Sequence, residues 1–201
     1  FPFALACGNV KKMPQRVSPY EKVRRRGRRV PVVPVRDAVH FPHVMNTLLV
    51  GREVSLRALR EALSSNRPLL VISQRQSTIE DPEPSDLYDV GTLCEVLQVV
   101  PLPDGTMRAF LRGISRFPVE GLFIRGGCWH ALGHPVEESV KNRQVAEALV
   151  RECAHLFEEV IQVGHHIPVE ALHLALQAET PSEFADCITH HLPLRISEKQ
   201  E

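Results

Sequence analysis

A chain of 201 residues with 43% apolar content can fill one good core or two small lobes, which excludes wholesale disorder. No apolar run approaches the length of a membrane span. The formal charge of zero hides an asymmetry: residues 1–29 carry nine Lys/Arg against Glu21 alone, a net +8, while residues 30–201 hold 15 Lys/Arg against 23 Asp/Glu, a net −8. A nucleic-acid partner would therefore have to be held by the leader and not by the acidic body.

The leader, residues 1–29, has no helical or strand period and reads as a basic, disordered segment. Its cluster from Arg24 to Arg29 is also compatible with a phosphate-touching arm or an arginine-rich targeting peptide. The five cysteines, Cys7, Cys94, Cys128, Cys153 and Cys187, form no C-x-x-C, so free thiols in a reducing compartment are expected.

Val30 to Val35 alternates valines with Pro31 and Pro34. Valine favours extended backbone and proline withholds a ladder donor, so this stretch predicts an edge strand or a strand-like entry. Phe41-Pro42-His43 is a bend, because the residue before proline leaves the helical region. Thr47 to Val50 reads as a short strand released by Gly51. Val54, Leu56, Leu59, Ala62 and Leu63 then predict one apolar helix face, stopped by Asn66 and Pro68. Leu69 to Ile72 predicts a buried strand. Residues 76–88 read as an exposed acidic loop. Val90 to Leu102 is β-rich, and Pro103-Asp104-Gly105 is a hairpin turn in which Pro pre-sets φ and Gly accepts a positive one. The return strand from Met107 continues through Gly113 to Ile124, and Cys128 to Leu132 is the last strand. About six strands and one helix close best as a small barrel, giving a β-rich lobe over residues 30–134.

A helical lobe is predicted for residues 135–201. Val145, Leu149, Cys153, Leu156, Val160 and Val163 give a long amphipathic helix an expected inward stripe. Pro168 starts a second helix with Val169, Leu172, Leu174 and Leu176. Thr180-Pro181-Ser182-Glu183 is a helix start, with Thr as N-cap, Pro in the first turn and Glu at N3. Phe184, Cys187, Ile188 and His191 face inward from this third helix, and Leu194 to Glu201 begins a fourth.

Ten histidines raise the question of a metal. His40-x-x-His43 has no thiolate or carboxylate at a zinc spacing, and the adjacent pairs His165-His166 and His190-His191 point about 100° apart on a helix. Glu80, Asp81, Glu83 and Asp86 lie in a proline-broken loop without fixed ligand spacing. No phosphate-binding loop, nucleophile elbow or usable Ser/Lys pair occurs. The expectation is no catalytic residue, no cofactor and no metal.

A set of islands carries a resemblance: Val32-Val33-Pro34-Val35-Arg36-Asp37; Phe41-Pro42-His43; Val50-Gly51-Arg52-Glu53 with Ser55; Asp86 to Thr92; Leu102 to Thr106; Gly113 with Arg116; and His191-Leu192-Pro193-Leu194 followed by Glu198 to Glu201. In order and spacing they resemble the amino-terminal, substrate-binding domain of the Lon-type ATP-dependent proteases, over residues 30–201. Asn46-Thr47 depart from the family pattern, and residues 123–135 match it poorly.

The resemblance implies an α+β fold: a PUA-like six-stranded β-barrel with one helix, followed by a small helical bundle. It implies a non-catalytic domain that recognises unfolded or tagged protein substrates for an ATPase-protease module and helps assembly, with homo-oligomers possible, no membrane and a cytoplasmic setting. Targeting by residues 1–29 stays open, and so does a nucleic-acid-binding module that uses the arginine leader. The chain is expected to be present without the ATPase and protease modules, as a fragment or an independent relative. The contact surface is expected near Val44, Met45 and Leu48, with plain core packing of Leu48 as the alternative.

Overall fold

Strand β1, Arg28–Val35, begins two residues before the expected Val30 and alternates its valines between two cores. The computed structural model describes residues 28–163 and 167–201; of the expected leader over residues 1–29, residues 1–27 lie outside them, and Arg28 and Arg29 belong to β1. Val33 and Val35 face one core while Val30 and Val32 face another. Strand β3, Leu69–Ser73, divides its residues in the same way, and all five are buried. Burial on both faces is why both segments read as continuous apolar runs.

β1 is not an edge strand. Its first half, Arg28 to Val32, pairs antiparallel with β6 (Cys128–Gly133), and its second half, Val32 to Val35, pairs parallel with β3. The two pairings overlap only at Val32. Pro31 therefore faces β6 alone and Pro34 faces β3 alone, so each missing N–H falls where one side is unpaired.

The remaining strands are β2 (Met45–Val50), β4 (Val90–Pro101) and β5 (Met107–Arg125). The sheet order is β2-β5-β4-β3-β1-β6, and β5 pairs additionally with β6. The long β5 thus joins β4 along one side and shares its other side between β2 and β6. Gly105 turns β4 into β5 with φ of 85°. Asp104 Oδ1 accepts from the Thr106 N–H at 2.9 Å and from its hydroxyl at 2.7 Å.

Helix α1, Glu53–Ser65, lies over the first core with Leu56, Ala58, Leu59 and Ala62 buried. Val54 and Leu63, expected on that face, are exposed. Asn66 caps the helix in the left-handed region at φ 48°. In the expected acidic loop, Leu87 is buried in the second core rather than exposed. Gly113 is a packing requirement: a Cβ there would sit 2.1 Å from the Phe41 carbonyl oxygen. The His43 N–H donates to Gly113 O, and the Gly113 N–H donates to Val44 O, both at 3.0 Å.

Four helices follow: α2 (Arg143–Gln162), α3 (Val169–Leu176), α4 (Pro181–His191) and α5 (Ile196–Gln200). Their core is Phe157, Ile167, Ala171, Ala175, Phe184 and Ile188. Of the expected α2 stripe only Val160 packs against this core. Val145, Leu149, Cys153, Leu156 and Val163 are exposed, and the packed side is Val150, Ala154, Phe157, Val160 and Ile161. On α3 the small Ala171 and Ala175 are buried, while Val169, Leu174 and Leu176 face outward. The α4 start is as expected: Thr180 Oγ1 accepts from the Glu183 N–H at 3.1 Å.

An ion-pair clasp ties the helices to the sheet. Arg116 of β5 donates to both carboxylate oxygens of Asp186 on α4, one of them at 3.2 Å, and also to Glu138 at 2.6 Å. Asp186 is 1% exposed. Burial pushes its carboxyl pKa up, and the Arg116 guanidinium and its hydrogen bonds pull against that rise.

Candidate functional site

The single most exposed apolar side chain of the sheet, Met45, is on β2, and Leu49 of β2 and Ile124 of β5 follow it equally. The β2 sequence, MNTLLV, has no charge and no proline. Strand alternation sends Met45, Thr47 and Leu49 outward and Asn46, Leu48 and Val50 inward. Met45 is 72% exposed and Leu49 61%. Among the described strands β2 pairs only with β5, so its other side offers unpaired backbone groups.

The register extends this surface across two more strands. Thr47 lies opposite Phe110 of β5, and Phe110 lies opposite Gln98 of β4. Opposed residues share a face, so exposed Phe110 joins Met45 and Leu49. The β4–β5 register shifts between Val96 and Gln98, and the extra residue, Leu97, is exposed too. The ion pair Arg112–Glu95 borders the surface and cancels its own charge. The surface is therefore largely apolar, carries exposed Arg108 opposite Leu49, and is flanked by an open strand edge.

The expected contact residues divide. Met45 is on the outward row. Leu48 is on the inner face, packed against the first core. Val44 is half-buried just before β2, where its carbonyl is taken by Gly113. Leu49, Leu97 and Phe110 went unread in the sequence. The period-two spacing of Met45 and Leu49 was the available signal. The bulge at Leu97 leaves no mark in one sequence.

Two of the matched islands are structural ties. Arg52 donates to the Gln74 side chain and the Glu80 carbonyl, each at 3.0 Å, and to the Pro34 carbonyl. Arg116 makes the clasp to Asp186. His40 is 7% exposed, and neither ring nitrogen has a hydrogen-bond partner. Burial lowers its pKa to about 4, helped by nearby His190, whose own pKa burial also lowers to about 4.

A second apolar surface is the outward row of α2. It lies beside a groove of about 570 Å³ between α2, α3 and α4 that Val150, Ala175 and Phe184 help to line. Among the described residues, one set of side chains has metal-ligand character: Glu61 of α1 with Cys128 and His130 of β6.

Comparison with known proteins agrees with this architecture. Residues 29–201 match the family model described as the ATP-dependent protease La (LON) substrate-binding domain. The chain is 39% identical over 171 residues to a Lon protease of Rhizobium meliloti, covering 85% of this chain and 21% of that protein. A Lon protease of Azospirillum brasilense is 39% identical over 176 residues, covering 88% and 22%. The chain thus spans about a fifth of the length of these curated relatives. Among solved structures, the N-terminal domain of a Mycobacterium avium complex Lon protease shares the fold, with a TM-score of 0.68 at 21% identity over 86% of this chain and 88% of that one.

Proposed function

The chain belongs to the LON substrate-binding domain family, and from that premise we propose that it is a non-catalytic docking unit for a Lon-type ATP-dependent protease. It holds extended apolar segments of unfolded or tagged proteins against the β2 face and hands them to an ATPase-protease module. The observation that carries this reading is the uncharged open strand with Met45 at 72% and Leu49 at 61% exposure, continued by Phe110 and Leu97. An extended substrate adds backbone hydrogen bonds along such an edge and seats alternate side chains on such a face. Val44 and the inner Leu48 complete the site by holding β2 in register.

The closed ring of pairings β5-β4-β3-β1-β6 supports reading the sheet as a PUA-like barrel with β2 as its added strand. Residues 28–134 are then the binding lobe, residues 135–201 a helical lobe, and residues 1–27 a basic leader. The outward row of α2 suits assembly contacts, including those of a homo-oligomer. Unpaired Cys94, Cys128, Cys153 and Cys187 suit a reducing, cytoplasmic setting. No described helix is long and apolar enough to cross a membrane.

The test is fluorescence anisotropy of a labelled, permanently unfolded protein titrated with this chain. Binding should change little across a salt titration and weaken at least tenfold in the double variant Met45→Asp, Leu49→Asp. Equal affinity in the variant, with an unchanged melting temperature, would remove the β2 surface. A steep fall of binding with salt would move the reading to a charge-driven partner.

A further inference from the structure

Away from β2, where α1 crosses β6, three different donor types meet. Glu61 comes from the middle of α1, while Cys128 and His130 are alternate residues of β6 and so point to one side of the strand. The Cys128 Sγ is 3.4 Å from Glu61 Oε2, and the His130 Nε2 is 3.0 Å from Glu61 Oε1. All three donors lie within 4.8 Å of one another. These residues are far apart in sequence, and only the packing of α1 on β6 brings them together.

We propose that Glu61, Cys128 and His130 form a three-ligand site for one divalent transition ion of the zinc class. A thiolate, an imidazole and a carboxylate suit a borderline ion and not calcium or magnesium, which take oxygen ligands in greater number. Three protein ligands leave a fourth, tetrahedral position for water. Cys128 and His130 are each 1% exposed, whereas the Glu61 side chain is 34% exposed and supplies the way in. The ligands are held before any ion arrives: β6 is paired on both sides, and the His130 ring stacks on Phe123 with centroids 5.7 Å apart.

Binding balances simply. The Cys128 S–H bond breaks, a sulfur–metal bond forms, and the proton leaves to solvent. The His130 proton moves from Nε2, where it is shared with Glu61, to Nδ1, freeing Nε2 for the ion. Nδ1 is buried without a hydrogen-bond partner, so this histidine lacks the acceptor that buttresses tight sites. The expected affinity is accordingly micromolar, short of that of a fully buttressed zinc site. The site is a clip between helix and sheet, and metal should stabilise the fold by mass action.

The experiment uses the full chain, stripped of metal and titrated with zinc against a chromophoric chelator. The expected result is one equivalent bound at micromolar or tighter dissociation constant, with a melting temperature that rises with free zinc. Glu61→Gln, at the open side of the site and therefore tolerated by the fold, should weaken binding at least tenfold. Cobalt should give a thiolate charge-transfer band that Cys153→Ser retains and Cys128→Ser loses. Absence of micromolar binding would overturn the proposal, and so would binding that is unchanged in Glu61→Gln or a cobalt band that depends on Cys153.

Discussion

The sheet lobe and the helical lobe spend their apolar residues differently. The sheet lobe buries large side chains on both faces of β1 and β3, and Leu59, Leu69 and Leu70 have no measurable exposure. The helical lobe keeps a small core around Phe157, Phe184 and two alanines, and leaves Val145, Leu149 and Leu156 of α2 more than half exposed. The sheet lobe covers most of its large apolar residues, with the main exceptions on the β2 face and at Ile124 and Leu132. The helical lobe is unfinished along a whole helix face. A lobe with a dense core can afford one open strand as a binding surface, because the rest of its sheet holds that strand in place.

The largest expected effect comes from a truncation in the sheet-lobe core. Leu59→Ala should cost about 3–4 kcal/mol, since the side chain is fully buried and its site cannot collapse. Chemical denaturation checks this directly, and a loss below about 1 kcal/mol would mean that α1 is not anchored as described.

A somewhat smaller effect separates the lobes by pH. His40 stays neutral in the fold because its pKa is lowered to about 4, while an unfolded chain titrates near the ordinary 6.5. The unfolded state therefore binds more protons between these values. Stability should be complete above about pH 6.5 and fall on acidification by up to about 3 kcal/mol as pH 4 is approached. His190 adds a loss of the same sign. In urea titrations at several pH values, His40→Phe should flatten the slope; an unchanged slope would assign the acid lability elsewhere.

Next comes the clasp between the lobes. Arg116→Ala strands the Asp186 carboxylate, which is 1% exposed. Because the Arg116 side chain is itself 39% exposed, the expected loss is about 2–3 kcal/mol, below that of a fully buried pair. The double variant Arg116→Ala, Asp186→Ala should recover part of that loss. No recovery would mean that the pair does not couple the lobes. The smallest effect belongs to α2, where Leu149→Lys should change stability by less than about 0.5 kcal/mol. A larger loss would show that the outward row is covered within the chain.

The same contrast governs what could be read from the residues alone. Turn chemistry was plain: Asp104-Gly105 and the Asn66 cap act through their own backbone, and local rules suffice. Strand positions were plain as well, but the place of β1 in the sheet was not. Its prolines are compatible with an interior strand only because its two pairings are staggered, and one sequence does not reveal stagger. The α2 stripe differs from expectation for a related reason. Periodicity finds an apolar face without saying whether that face meets its own chain, and here Ala154 and Phe157 took the core. The Arg116–Asp186 clasp and the Glu61, Cys128 and His130 cluster join residues roughly 70 positions apart, so spacing carries no trace of either. The exposure of Met45 is legible in the strand pattern; Leu49, Phe110 and Leu97 join its face only through the register.

The most direct measurement is amide hydrogen exchange of the full chain with and without a permanently unfolded protein. The β2 reading requires new protection over Met45–Val50 and little change along α2. Protection confined to α2, or none on β2 under conditions where binding is saturated, would contradict it.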